Sequence, residues 1–129
     1  MSPETEKKLL AKLNKFEKST LFTKKNISLP YLSAHLQTNT KYLSYIINTH
    51  KKKDFNNYIN ELRIRYIIEK LKYEPQYRKY KVATLADETG FSSPNKFTTV
   101  FKKVTSLSPS LFISYLKTES ETELEKIDN

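Results

Sequence analysis

"LADETGFSSPNKFTTVFKK", residues 85–103, is the stretch that decides the fold. It holds Gly90, the only glycine in the chain. Globular proteins use about 7% glycine, so a single one marks a place where the backbone has a use for it. Before Gly90, Val82, Leu85 and Ala86 are spaced as the inward face of a short helix over about 82–89. After it, Ser93-Pro94 reads as a helix N-cap followed by proline at the first helical position. Phe97, Val100, Phe101 and Val104 then share one helical face, predicting a second helix that runs inward-facing to about Val104. The turn Gly90-Phe91-Ser92 lies between, and a left-handed residue at its start costs glycine nothing.

The same plan occurs earlier in the chain. LSAHLQTN at 32–39 aligns with LADETGFS at 85–92, and YLSYIIN at 42–48 aligns with KFTTVFK at 96–102. Ser28 is placed to cap a helix over 29–36, with Leu29, Leu32 and Leu36 inward. A turn at Gln37-Thr38-Asn39 leads to a helix from about Thr40 to His50, with Leu43, Ile46 and Ile47 inward. A short helix, a turn and a second helix, twice, is a double helix-turn-helix.

The rest of the chain frames these two units. Ser2-Pro3-Glu4 starts a first helix whose Leu9, Leu10, Leu13 and Phe16 form one stripe. Residues 20–28 read as polar loop. Asp54 caps a long helix over 55–73, about 27–30 Å of rod at ~1.5 Å per residue, with Phe55, Tyr58, Ile59, Leu62, Ile67 and Leu71 on its apolar face. Glu74-Pro75 ends it, and residues 75–81 form a basic, tyrosine-rich connection. Ser108-Pro109 opens a last helix carrying Phe112, Ile113 and Leu116. The expectation is an all-α fold of about seven helices in two three-helix units. The first subdomain takes 1–53, the linking helix 54–74, the second subdomain 75–117 and an acidic tail 118–129.

Composition narrows the function. The chain carries +9 at pH 7, and the charge is uneven. Residues 24–117 hold 17 Lys/Arg against 6 Asp/Glu, whereas 118–129 hold 1 Lys against 5 acids. A basic centre fits a polyanion partner, although abundant Lys, Asn, Ile and Tyr also fit the bias of an A·T-rich genome. There is no cysteine, so no thiolate nucleophile and no disulfide framework. No apolar run reaches the length of a membrane span, and no signal-peptide pattern follows Met1. A cytoplasmic protein without membrane contact is expected.

The repeat leaves two outward faces. In the first unit's second helix they are Lys41, Ser44, Tyr45 and Asn48. In the second unit they are Asn95, Thr98, Thr99 and Lys102. Both sets follow i, i+3, i+4, i+7, and neither contains an acid. Such side chains can meet base edges in a major groove. The sequence-independent phosphate contacts are expected from Asn39, Thr40, Lys51, Lys52, Lys53, Arg78, Lys79, Lys81, Ser93, Lys96 and Lys103, with backbone N–H groups at helix starts.

Leu85-Ala86, Gly90-Phe91-Ser92, Phe97, Phe101-Lys102-Lys103 and Ser108-Pro109 together resemble the signature of the AraC/XylS family of transcription regulators. The first unit matches it through Leu32, Leu36, Tyr42-Leu43-Ser44 and Phe55, Tyr58-Ile59 and Leu62-Arg63-Ile64. The resemblance runs over about residues 5–117 and looks closest to DNA-binding domains that end large sensor regulators in Bacteroidetes-type bacteria. It implies seven helices, a recognition helix in each unit and two major grooves about 34 Å apart. It also implies double-stranded DNA as partner, RNA polymerase as a further candidate, a sensor or effector domain outside this chain, and no cofactor. Two departures stand out. Family members often carry arginine where this chain has Tyr45 and Thr99, while Arg63, Arg65 and Arg78 all lie off the recognition helices. Glycines common in the family after those helices are replaced by Lys52 and Ser106.

Other classes are less well supported by the residues. His35 and His50 are the only histidines, and Asp87-Glu88 are adjacent on a helix and face different directions, so no catalytic or metal-binding set emerges. Nonspecific architectural DNA binding remains an alternative. So does a protein-interaction module, using the apolar stripe of residues 9–16 or the tail at 124–127.

Overall fold

A computed structural model describes the backbone of residues 1–128 and the side chains of residues 1–122. Among the described residues the fold is all-helical. The helices are α1 (Pro3–Glu17), α2 (Leu29–His35), α3 (Thr40–Ile46), α4 (Phe55–Tyr73), α5 (Val82–Glu88), α6 (Pro94–Thr105) and α7 (Pro109–Asp128). The chain divides into two compact units, Met1–Arg63 and Ile64–Asn129. The division falls inside α4, so the linking helix is not a separate element. Its first half belongs to one unit and its second half to the other.

The starts of the helices follow local chemistry. The Ser2, Ser28, Asn39 and Ser93 side chains each accept a hydrogen bond from the backbone N–H three residues on. Asp54 does the same for Asn57 N at 2.8 Å, and Ser108 for Leu111 N at 3.2 Å. Each cap satisfies one of the N–H groups that a helix start leaves without a partner.

In the first unit, Leu9, Leu13, Phe16, Phe22, Leu32, Leu36, Leu43, Ile46, Ile47, Tyr58 and Ile59 are buried. The stripe on α1 is therefore core. Residues 20–28 are not plain loop. A 3₁₀ turn, Leu21–Thr23, carries Phe22 into the core, edge-on to Phe16. The buried Arg63 holds this segment, its Nε donating to Phe22 O at 2.7 Å and its Nη2 to Lys24 O at 2.9 Å. Burial lowers the pKa of that guanidinium. The predicted helix 40–50 keeps α-helical bonding only to Ile46. Residues 47–51 form one π-helical turn that ends at a left-handed Lys52, φ 59°.

In the second unit one core cluster takes Ile64, Ile67 and Leu71 of α4, Leu85 and Ala86 of α5, Phe91, then Phe97, Val100 and Phe101 of α6, and Ile113 and Leu116 of α7. Rings run through it in sequence, Phe91 to Phe97 to Phe101 to Phe112, at centroid separations of 5.4–5.7 Å. Val104 departs from its expected place and is 40% exposed. Periodicity sets the direction in which a side chain points, but burial also needs a neighbour there. The connection 75–81 contains a 3₁₀ helix, Pro75–Lys79. The side chains of the tail at 124–127 lie outside the described residues.

Candidate nucleic-acid interface

The turn between helices sets the second helix of each unit, α3 and α6, and both units build it alike. In the first, Gln37 N donates to Ala34 O at 3.1 Å and Thr38 N to Ser33 O at 2.9 Å. In the second, Gly90 N donates to Asp87 O at 3.1 Å and Phe91 N to Ala86 O at 3.1 Å. These paired bonds close a Schellman cap, which needs a left-handed residue. Gln37 has φ 59° and Gly90 φ 86°. A polar residue and a glycine thus do one job at matching positions. The left-handed geometry recurs where the recognition helices hand over, at Lys52 and at Ser106, φ 68°. Those are the two positions where the family resemblance leads one to expect glycine.

With the caps in place, burial of one face exposes the other. Leu43, Ile46 and Ile47 are fully buried, which turns Lys41, Tyr45 and Asn48 outward and leaves Ser44 half-buried. Tyr45 is 51% exposed. The Asn48 amide donates to Ser44 Oγ at 3.4 Å. Lys41 and Tyr45 line a cleft of about 310 Å³ together with Met1, Glu6 and Tyr42. In the second unit Phe97, Val100 and Phe101 face inward, Asn95, Thr99 and Lys102 are exposed, and Thr98 is half-buried. Neither α3 nor α6 has an acid near it in sequence, since none occurs in residues 18–53 or 89–118.

The basic residues divide into two groups. Lys51 Nζ is paired with Glu17 at 3.0 Å and donates to Asn14 Oδ1 at 3.0 Å. Lys53 is paired with Glu61 at 3.0 Å. Arg78 donates to Leu71 O at 2.7 Å, to Lys72 O at 3.1 Å and to Ser120 Oγ at 3.1 Å, so it caps the end of α4. These three are committed to partners within the fold. Lys52, Lys79, Lys81, Lys96 and Lys103 are exposed, and none of them has an ion-pair partner among the described residues. Thr40 is exposed, while Asn39 and Ser93 spend a side-chain oxygen on capping.

Residues of α1 belong to the site's support and were not legible beforehand. Glu6 meets His50 Nε2 at 2.9 Å, and Glu17 accepts from Tyr58 Oη at 2.6 Å as well as holding Lys51. Lys12 Nζ donates to Leu36 O at 3.1 Å, at the end of α2. Sequence spacing carries no signal for such pairs, because their partners lie 24 to 44 positions apart. Among the described residues, no group of three or more His, Cys, Asp or Glu is placed to hold a metal ion. No helix there is long and apolar enough to cross a membrane.

A family profile described as a helix-turn-helix domain matches residues 32–114, from α2 into α7. The chain belongs to the AraC-type helix-turn-helix family. That is a family of DNA-binding transcription regulators. The uncharacterized transcriptional regulatory protein YesN of Bacillus subtilis is 32% identical over 89 residues. The match covers 67% of this chain and 23% of YesN, so the chain spans under a quarter of that relative's length. Two solved structures share the fold. The C-terminal domain of AraT, a response regulator from Geobacillus stearothermophilus, has a TM-score of 0.69 at 20% identity, covering 88% of this chain and 86% of that one. The C-terminal domain of the two-component response regulator yesN from Fusobacterium nucleatum has a TM-score of 0.64 at 25% identity, covering 80% and 94%.

Proposed function

We propose that this chain binds double-stranded DNA at preferred sequences and regulates transcription, with α3 and α6 each reading a major groove. The reading rests on one observation above all. At equivalent positions of two units, Lys41, Ser44, Tyr45 and Asn48 and then Asn95, Thr98, Thr99 and Lys102 form outward faces without an acid. An ordinary solvated helix face mixes both signs of charge. Phosphate contacts fall to the exposed Lys52, Lys79, Lys81, Lys96 and Lys103, which add affinity without sequence information. Thr40 at the start of α3 is a further contact. A sensor or effector domain beyond this chain and RNA polymerase are the other partners of this reading, which places the protein in the bacterial cytoplasm.

The test is selection from a random duplex library followed by sequencing. A motif of two half-sites should enrich. The preferred site should bind at least ~10³-fold tighter than random duplex at physiological salt. Binding that falls steeply with salt and enriches no motif would replace this reading with nonspecific architectural binding.

A further inference from the structure

The two reading faces carry the same chemistry in opposite order. The equivalent positions 41 and 95 hold Lys and Asn, 44 and 98 hold Ser and Thr, 45 and 99 hold Tyr and Thr, and 48 and 102 hold Asn and Lys. Each face therefore has one ammonium, one amide, one half-buried hydroxyl and one exposed group with an apolar surface, Tyr45 or Thr99. No guanidinium lies on either face. Arg63 and Arg78 are bonded to backbone carbonyls elsewhere, and Arg65 sits on α4.

The pairing rules for the major groove give each group a base. Asn meets adenine in a bidentate pair, Lys donates to guanine O6 and N7, and apolar groups contact the thymine methyl. Without arginine, the commonest guanine reader is missing from both helices. What remains favours A·T pairs at the amide and apolar positions and a single guanine contact per helix. Residues near the start of a recognition helix contact base edges. At that place α3 has Lys41 and α6 has Asn95, each the second residue of its helix. The Asn48 amide, in the π-helical turn that follows α3, makes only a long contact of 3.4 Å to Ser44 Oγ.

We propose that the duplex selected by this chain consists of two unlike, A·T-rich half-sites, the α3 half led by a guanine contact at Lys41 and the α6 half led by an adenine contact at Asn95. This rests on the sequence-specific reading above.

Selection with the full chain and with two exposed substitutions, Lys41→Asn and Asn95→Lys, tests it, with circular dichroism to check folding. The wild type should enrich halves dominated by A·T. Asn95→Lys should turn one A·T pair of the α6 half into G·C, and Lys41→Asn should turn one G·C pair of the α3 half into A·T. Changing the Asn95 base pair should cost the wild type about tenfold in affinity, and the Lys variant should lose that preference. Two equal half-sites, G·C-dominated halves, or variants that keep the wild-type motif would overturn the inference while leaving sequence-specific binding intact. Enrichment of no motif would overturn both.

Discussion

The two units reach one backbone plan by different chemistry. The second holds α6 with aromatic packing, Phe91, Phe97, Phe101 and Phe112 meeting ring to ring. The first buries aliphatic Leu43, Ile46 and Ile47 at this place, keeps its rings in Phe16, Phe22 and Tyr58 outside α3, and adds polar clamps from α1, through Glu6 to His50 and Glu17 to Lys51 and Tyr58. The second starts its turn with glycine, the first with glutamine, both at positive φ. What the units share is the backbone requirement: a serine or asparagine cap, a left-handed residue before it and another after the recognition helix. The residues meeting those requirements are interchangeable at a modest cost. Stabilising contacts around them are free to differ.

The largest test of that contrast is in the cores. Leu43 and Phe97 occupy matching positions and are both fully buried. Phe97→Ala should cost about 3–5 kcal/mol and remove the centre of the ring sequence. Leu43→Ala should cost about 2–5 kcal/mol, with the clamps from α1 still in place. Urea unfolding combined with hydrogen exchange should locate each loss in its own unit. If Phe97→Ala opened the first unit as readily as the second, the two cores would not be separate.

Next come the turns. A non-glycine residue held left-handed costs about 1–3 kcal/mol, and a β-branched residue is worst placed there. Gly90 is itself buried. Gly90→Val should therefore destabilise the second unit by at least that much and weaken DNA binding with it. Gln37→Gly should be neutral or stabilising by up to ~1 kcal/mol, because glycine relieves the left-handed strain and the side chain's contact to Lys12 is long, at 3.4 Å. Thermal denaturation of both variants checks the sign. A Gln37→Gly variant less stable than Gly90→Val would end the equivalence of the turns.

A smaller effect belongs to the clamp. Tyr58 is buried and donates to Glu17, and burial first, then the carboxylate, raises its pKa far above the usual tyrosine value. A raised folded-state pKa contributes stability that is complete below the unfolded value of about 10 and is lost as pH climbs past it. The first unit should thus weaken in alkali, with Tyr58 ionising only as that unit opens. Tyr58→Phe should cost about 1.5 kcal/mol at neutral pH and flatten the alkaline loss. Tyrosinate absorbance followed alongside circular dichroism would show it.

The plan was legible in sequence because caps, turn residues and apolar spacing are local signals. Ser28, Asn39, Asp54, Ser93 and Ser108 announce helix starts, and the spacing of Leu43, Ile46 and Ile47 or Phe97, Val100 and Phe101 announces inward faces. Phe22 was hidden because the short segment around it shows no helical or strand spacing, and its burial depends on α1 and on Arg63 from far along the chain. The π-helical turn at 47–51 had no local mark, since Ile47 keeps the apolar spacing either way. Val104 has the right spacing and still lies 40% exposed. The outward sets on α3 and α6 were legible as helix faces, whereas the commitments of Lys51, Lys53 and Arg78 depend on partners that only the folded chain assembles.

Those commitments give the finest test of the contrast. As sequence, Lys51, Lys52 and Lys53 look like one phosphate-binding run. In the folded unit Lys51 already serves Glu17 and Asn14, and Lys53 serves Glu61. Moving Lys51 to a phosphate would exchange one ionic partner for another and leave Glu17 with Tyr58 alone, so little net affinity is available there. Lys103, exposed on α6 without an ion-pair partner among the described residues, has no such exchange to make. A lysine that neutralises a phosphate lowers the slope of log affinity against log salt by about 0.9 when removed. Lys103→Ala should therefore reduce the slope by about 1 and weaken all sequences alike. Lys51→Ala should leave the slope unchanged and cost the first unit at most ~1 kcal/mol of stability. Fluorescence anisotropy over a salt series, on one duplex for both variants, separates them. Equal slopes would mean that DNA draws Lys51 away from α1, and the clamp would then be a competitor of the phosphate backbone.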